Sequence, residues 1–290
     1  MAHKNPSNWS PYTARKKPRH GTASGSKKIV EQRSTQQRPT NPSSAQASSW
    51  RGRHRRPTII YSQVEAEARI ADVFLNHEFA HINRRQVSLL ASFYRLLMEN
   101  QQHSNFTRLV KLRDVAIKHF IDCLIIPQFT ELKFPLMDLG SGPGFPGIPL
   151  KIIFPEKPII LAEGVKKRAD FLHQVREKLN LANLEILSRN VNAKFNIPIA
   201  GVITRAVEDI GNTLANVSQS LEVGGKVYFM KGPNVDPEIP MAQRRWSGYY
   251  ECVQDTAYCL AKTPHRRRLI VFEKISPIPH QVLRQTRSAP

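Results

Sequence analysis

A glycine-rich segment follows a short apolar run in the middle of the chain. The segment DLGSGPGFPGIPL, residues 138–150, contains four glycines and three prolines. Gly140, Gly142 and Gly144 are spaced as G-x-G-x-G, and glycines at this spacing let the backbone approach a bound ligand closely. The residue types predict a loop that binds a phosphate or a nucleotide, although an ordinary tight turn can have the same composition.

Three kinds of nucleotide-binding loop can be compared with this segment. A P-loop needs Lys and then Ser or Thr after its last glycine, whereas Gly147 is followed by Ile148 and Pro149. A dinucleotide-binding loop has a small residue where Phe145 stands. The prolines also lack the N–H groups that bind a pyrophosphate. The segment therefore favours a ligand that needs close backbone contact and few donors, such as the methionine part of S-adenosylmethionine (SAM).

An acidic residue supports a nucleoside ligand. Glu163 ends the second apolar run, PIILAE, about 20 residues after the glycine loop, where an acid can bind both ribose hydroxyls. The loop and Glu163 together predict a site for a nucleoside cofactor.

The surrounding elements predict an α/β fold. Helical periodicity begins at Ser62 and ends before Pro127. From Pro135 onward, short apolar runs alternate with helical segments, which indicates a mostly parallel, Rossmann-like sheet covered by helices. The last two runs, YYECV and RLIVFE, have no helical segment between them and predict an antiparallel hairpin. Helices are expected over residues 114–126, 166–179 and 208–221.

The same pattern divides the chain into regions. We expect a disordered basic tail (1–60), N-terminal helices (61–132), a Rossmann-like core (133–275) and a C-terminal tail (276–290). The helices and the core together form the domain that spans residues 61–275.

Charge is distributed unevenly along the chain. The formal net charge is +20, and residues 1–60 contain thirteen Lys or Arg against one acid, so this segment carries +12 and the rest +8. A surplus of this size indicates a polyanionic partner, most often nucleic acid. The run RGRHRR resembles an RNA-binding arm, although a solvated tail explains it equally well. The candidate RNA contacts in this run are Arg51, Arg53, Arg55 and Arg56.

Metal and membrane proteins are not indicated. The three cysteines, Cys123, Cys252 and Cys259, have no metal-ligand spacing, so no metal is expected. No apolar run approaches the roughly 18 residues that span a membrane. We therefore expect a cytoplasmic protein without a membrane partner.

Several motifs resemble one family. DLGSGPGFPGIPL is similar to the signature of the ribosomal RNA small subunit methyltransferase G family, also called glucose-inhibited division protein B. The other motifs that carry the resemblance are NFTRL (105–109), KHFIDCL (118–124), KKRADFL (166–172), ITRA (203–206) and MKG (230–232). The resemblance covers about residues 62–275. It implies a Rossmann-like, SAM-dependent methyltransferase that modifies N7 of a guanine in 16S rRNA, and it implies free rRNA or the small ribosomal subunit as partner. We expect a monomer.

The resemblance also implies a set of site residues. The expected cofactor contacts are Gly140, Ser141, Gly142, Gly144, Phe145, Glu163, Asn190, Val191 and Arg205. Val191 stands where the family tends to have an acid, so a backbone contact has to replace a carboxylate contact there. His119 and Lys231 are candidate substrate contacts, although His119 and Asp122 fit a packing pair on one helix equally well.

No catalytic residue is assigned. Guanine N7 has a lone pair and no proton, so its methylation requires alignment and no general base. Two alternatives remain open. An RNA-binding ribosome-assembly factor with a weakened SAM site would explain Val191. A NAD-dependent oxidoreductase would have a related glycine loop, which Phe145 and the prolines disfavour.

Overall fold

The computed structural model describes residues 59–205 and 207–285, apart from the side chains of residues 102, 103, 284 and 285. The four arginines of the predicted RNA-binding arm, and nearly all of the predicted basic tail, lie outside these ranges. The predicted N-terminal helices and the predicted core both lie within them.

A seven-stranded sheet organises the described chain. Its strands are β1 (Leu136–Leu139), β2 (Ile159–Ala162), β3 (Leu184–Leu187), β4 (Ile199–Arg205), β5 (Leu221–Lys231), β6 (Tyr250–Cys259) and β7 (Arg266–Lys274). The spatial order is β3-β2-β1-β4-β5-β7-β6, and every neighbouring pair is parallel except the two that contain β7. The predicted mostly parallel sheet with a closing antiparallel hairpin is confirmed.

Helices cover both faces of this sheet. They are α1 (Gln63–Asn76), α2 (Arg84–Ser104), α3 (Leu112–Val115), α4 (Asp122–Leu124), α5 (Gly147–Ile153), α6 (Lys166–Lys178), α7 (Ile210–Val217), α8 (Glu238–Arg245) and α9 (His280–Gln285). A π-helical turn, Ala116–Ile121, joins α3 to α4, and a 3-10 turn, Ile126–Gln128, follows α4.

Alternation along the strands separates two cores. In β1, Leu136 belongs to a core built with α1, α2, α5 and α6, and Met137 belongs to one built with α7, α8 and α9. We call these sides of the sheet the front face and the back face, respectively. Because successive residues of a strand point to opposite faces, the position of each residue in a strand decides the face on which it acts.

The helices differ from the predictions in five places. The single helix expected over 114–126 is divided by the π-helical turn, which inserts one residue into the helical ladder without exposing its apolar side. The helix expected over 208–221 is shorter, since Asp209 caps α7 and the helix ends at Val217. Helices α5, α8 and α9 were not predicted. The helix expected over 166–179 forms as α6.

The chain continues in contact with the core after Ile275. Ile278 and Leu283 are each 6% exposed and pack on the back face. Within the described ranges, none of the helices has the combined length and apolar character needed to cross a membrane.

Candidate active site

The carboxyl ends of three parallel strands meet at one edge of the sheet. Leu139 of β1 lies in register with Ala162 of β2 and with Thr204 of β4. The residues that follow these three are Gly140, Glu163 and Arg205. Ligands of doubly wound sheets bind outside the carboxyl ends of the strands. The register therefore gathers three of the expected cofactor residues at the edge where a ligand should lie.

A cleft of about 450 Å³ opens at this edge, which is within the usual size range of small-molecule sites. Of the expected cofactor residues, Gly140, Glu163, Asn190 and Val191 line it. Arg168 of α6 also lines the cleft, and the sequence analysis did not single it out. In the sequence, only its position within the KKRADFL motif could have indicated a role at the site.

The loop after β1 has a backbone that needs glycine. Gly140 and Gly142 have φ angles of +71° and +57°, in the left-handed region that favours glycine. A Cβ built on Gly142 would meet no protein atom within 4 Å. Ser141 is buried and donates its hydroxyl to the main-chain oxygen of Asp138, at 2.9 Å, so its side chain shapes the loop. The loop thus leaves open space directly above the backbone of Gly142.

Glu163 ties this loop to the turn after β2. The side chain is buried, and its carboxylate oxygens accept N–H bonds from Gly142 and Val165, both at 2.8 Å. The guanidinium of Arg168 lies 3.8 Å from one of these oxygens. Each oxygen keeps a further lone pair. Glu163 can therefore hold the loop and accept ribose hydroxyls at the same time.

The residues after β3 form the opposite wall. The amide of Asn190 lies against Gly164 and occupies the space that a side chain there would need. Val191 is 8% exposed and packs into the core of the back face while it lines the cleft. Its side chain offers no polar group, so any polar contact at this position has to come from the main chain.

Phe145 packs away from this cleft. Its ring is 3% exposed and lies in the front core, stacked on His119 with the ring centroids 4.3 Å apart. The ring of Phe93 also packs against it, with the two ring centroids 5.2 Å apart. The side chain of Phe145 therefore anchors the loop to the front face and does not line the cleft.

Arg205 and His119 form a buried pair on the front face. Nη2 of Arg205 and the main-chain oxygen of Lys118 both lie 3.1 Å from Nδ1 of His119. A guanidinium can only donate and a carbonyl oxygen can only accept, so the two contacts favour opposite tautomers of the ring. Nε2 lies 3.1 Å from Oγ1 of Thr107, a hydroxyl that can donate or accept. Burial, and then the charge of Arg205, lower the pKa of His119 to about 3. His119 is therefore a neutral partner of Arg205.

Lys231 makes an ion pair that holds the back face together. Its Nζ lies 2.8 Å from a carboxylate oxygen of Glu238 and donates to the main-chain oxygen of Glu208, at 2.9 Å. The side chain is 14% exposed. The structure thus places Lys231 on the opposite face from His119, so these two candidate substrate contacts are not brought together.

Asp138 is a buried acid that the sequence analysis did not assign. Its Oδ2 accepts the N–H of Gly147 at 2.8 Å, and its Oδ1 is buried without a hydrogen-bond partner among the described residues. Burial raises the pKa of Asp138 to about 7. Its signal in the sequence is its position at the end of β1, directly before the glycine loop.

The sheet order, the final antiparallel hairpin and the glycine loop held by an acid after β2 define a Rossmann-like methyltransferase. The open space above Gly142 and the carboxylate of Glu163 fit a nucleoside cofactor. Within the described residues, no three His, Cys, Asp or Glu side chains are grouped to hold a metal ion.

Comparison with known proteins identifies the family. The profile of the family described as rRNA small subunit methyltransferase G matches residues 86–270. The chain is 60% identical over 228 residues to ribosomal RNA small subunit methyltransferase G 2 of Bdellovibrio bacteriovorus, across 79% of this chain and 89% of that protein. It is 30% identical over 213 residues to ribosomal RNA small subunit methyltransferase G of Carboxydothermus hydrogenoformans, across 70% and 90% of the two chains. The chain belongs to this family.

A solved structure resembles part of the chain more distantly. The ribosomal protein L11 methylase of Lactobacillus delbrueckii subsp. bulgaricus has a TM-score of 0.42 and 11% sequence identity, across 53% of this chain and 77% of that chain.

Proposed function

We propose that this protein transfers a methyl group from SAM to N7 of a guanine in 16S rRNA. The observation that carries the proposal is the cleft after β1 and β2, which Gly140 and Glu163 line, together with the adjoining loop, where the backbone at Gly142 is open and is fixed by Glu163. The family name of its relatives supplies the substrate class. We further propose that it acts as a cytoplasmic monomer, on free 16S rRNA or on the small ribosomal subunit.

The residues of the cleft and of the glycine loop beside it would bind and orient the cofactor. Gly140, Gly142 and Gly144 provide backbone contacts, Glu163 accepts the ribose hydroxyls, and Asn190 and Val191 form the far wall. When bound, SAM supplies a methyl group that can be transferred to a lone pair. Arg205 contacts the glycine loop at Phe145, where its guanidinium lies 5.4 Å from the centroid of the phenyl ring. Arg205 closes the front of the site.

The chemistry proposed here needs no proton acceptor. His119 is the imidazole beside the site, and both of its ring nitrogens have hydrogen-bond partners. Its lowered pKa, about 3, makes it a weak base at neutral pH. A neutral nucleophile such as guanine N7 requires only that it be held in line with the methyl group.

Replacement of the target atom tests this proposal. A 16S rRNA in which the modified guanine is replaced by 7-deazaguanine has no N7 lone pair. We expect no methylation of this RNA and little change in its affinity for the enzyme. Replacement of a neighbouring guanine by 7-deazaguanine is the control and should leave methylation intact. Methylation of the first RNA would overturn the proposal.

Val191 favours a second candidate, an RNA-binding assembly factor with a weakened cofactor site. Its buried, apolar side chain supplies no carboxylate to the cleft. Calorimetric titration with SAM separates the two functions, because the assembly factor would bind SAM too weakly to be loaded at cellular concentrations.

A further inference from the structure

Four of the basic residues at the cleft edge of the sheet form ion pairs, and these four are divided between its two faces. Lys231 at the end of β5 lies in register with Arg268 at the start of β7, since these strands are antiparallel. Each lies two residues from a strand residue of the back core, Phe229 or Ile270, so both are at back-face positions of their strands. Arg205 and Arg267 follow the alternation of the front face, where both contact Asp122 of α4.

The cations of the back face are balanced by acids. Lys231 lies 2.8 Å from Glu238. Arg268 pairs with Asp236, at 2.8 Å, and also with Asp255. Within these contacts three carboxylates face two cations, so Lys231 and Arg268 themselves carry no surplus positive charge.

The cations of the front face are not balanced. Arg205 and Arg267 lie 3.5 Å and 3.2 Å from the same carboxylate, that of Asp122. Asp122 has a side chain only 3% exposed, whereas the two arginine side chains are 18% and 26% exposed. His119, the other partner of Arg205, is neutral. Two guanidinium groups and one carboxylate leave one positive charge uncompensated among these contacts, at a place that solvent reaches.

A spare hydrogen-bond donor lies beside the same pair. Tyr258 of β6 is in register with Arg267 of β7, so the two side chains are neighbours on the front face. The residue is 8% exposed, and its hydroxyl is buried without a hydrogen-bond partner among the described residues. We call the group formed by Asp122, Arg205, Arg267 and Tyr258 the arginine recess.

We infer that the arginine recess binds a phosphate group of the rRNA strand next to the target nucleotide, with Arg267 as the contacting residue. This inference rests on the proposed function, because the recess adjoins the cofactor loop through Arg205 and Phe145. A phosphate supplies the missing negative charge and several acceptor oxygens, and a guanidinium matches its geometry. Asp122 positions both arginines, so that Arg205 stays at the loop and Arg267 faces the substrate.

Neutralisation of Arg267 tests the inference. We expect Arg267→Gln to raise the KM for the form of 16S rRNA that the wild-type enzyme methylates by about tenfold or more, which is typical for loss of a charge-assisted hydrogen bond. The slope of log KM against log salt concentration should fall by about 0.7–0.9, the value for one phosphate contact. The Kd for SAM, measured by calorimetry, should stay within about twofold of wild type. Arg267→Lys should keep the salt slope, because it keeps the charge.

Arg268→Gln is the matched control. It removes the same charge one residue away, but on the back face, where two aspartates already neutralise the arginine. It should leave the salt slope unchanged. An equal effect of both variants on the salt slope would overturn the inference. Nonspecific electrostatic attraction between the protein and RNA would then explain the loss. A weakened SAM affinity with an unchanged KM for RNA would overturn it as well, since the recess would then serve the cofactor.

A second measurement covers the case in which Arg267→Gln does not fold. RNA substrates with a single neutral methylphosphonate linkage, placed at successive positions around the target guanine, can be assayed with the wild-type enzyme. We expect one linkage to raise KM to a similar extent and to flatten the salt dependence. If no single linkage does so, the inference is wrong.

Discussion

Gly142 combines a positive φ angle with open space above its backbone. Valine at this position would put a branched side chain where the cofactor has to lie, and would also strain the backbone by roughly 1–2 kcal/mol. We expect Gly142→Val to bind SAM at least about tenfold more weakly in calorimetric titration, which corresponds to about 1.4 kcal/mol. Methylation at low SAM concentration should fall in proportion.

Gly224 provides a control for the strain. Its φ angle is +81° and its Cβ would also meet no atom within 4 Å, but it lies near the start of β5, away from the loop after β1. Gly224→Val should therefore be strained to a similar extent and bind SAM normally. Equal losses of affinity in the two variants would show that backbone strain explains the effect.

Asp138 should make stability depend on pH. Its pKa is about 7 in the folded protein, mainly because of burial, and about 3.9 in an unfolded chain. Its contribution to stability is therefore complete below about pH 4 and is lost as the pH rises through about 7. Asn is neutral and of similar shape, so Asp138→Asn should remove this dependence.

Urea unfolding of both proteins between pH 4 and pH 8 measures the effect. The free energy of unfolding of the variant should rise relative to wild type by up to about 1.4 kcal/mol per pH unit until about pH 7. Asp170→Asn, which replaces an exposed aspartate on α6 in the same way, is the control for the substitution itself. A constant difference between Asp138→Asn and wild type would contradict the expected titration.

At the scale of elements, the strands could be predicted because the parallel ones are short apolar runs. β1 and β2 are buried at every position, which makes them stand out from the polar segments around them. Helix α5 was missed because Gly147 and Pro149 are poor helix formers. Both lie in its first turn, where the missing N–H of proline leaves no hydrogen bond unmade.

The site could be predicted only as far as it depends on strand ends. Gly140, Glu163 and Val191 follow parallel strands, and that position alone brings them to the cleft. The side-chain contacts of Phe145 and Arg205 could not be predicted in this way. These contacts depend on packing against the π-helical turn, which is distant in sequence. No local sequence pattern predicts such a contact.

The segment after β7 should add to the stability of the back face. Leu283 of α9 is 6% exposed in that core. We expect Leu283→Ala to lower the free energy of unfolding by about 2 kcal/mol, the lower end of the range for buried leucines, because the helix lies at the margin of the core. Gln281→Ala, on the exposed side of α9, should change it by less than about 0.5 kcal/mol. Urea unfolding that finds equal values for both would contradict the packing role.

At the scale of the whole molecule, the charge of the chain should govern its affinity for RNA. Residues 1–60 carry +12 of the total of +20. We propose that this segment neutralises rRNA phosphates, so deletion of residues 1–58 should weaken RNA binding and reduce its salt dependence. SAM affinity should be unchanged, since the cleft is lined by residues between Leu139 and Asn216. Filter binding at several KCl concentrations measures both effects on RNA, and an unchanged salt dependence would refute the proposal.

Glu163 has a consequence for attempts to change the cofactor. The usual way to make a nucleotide site accept a phosphorylated ribose is to replace the acid after the second strand. Here that replacement would also remove the acceptor for the N–H groups of Gly142 and Val165. On the proposed function, a single carboxylate thus determines both ligand preference and loop shape. An engineered enzyme with a different cofactor would need a new anchor for residues 140–144, in addition to a new partner for the ribose.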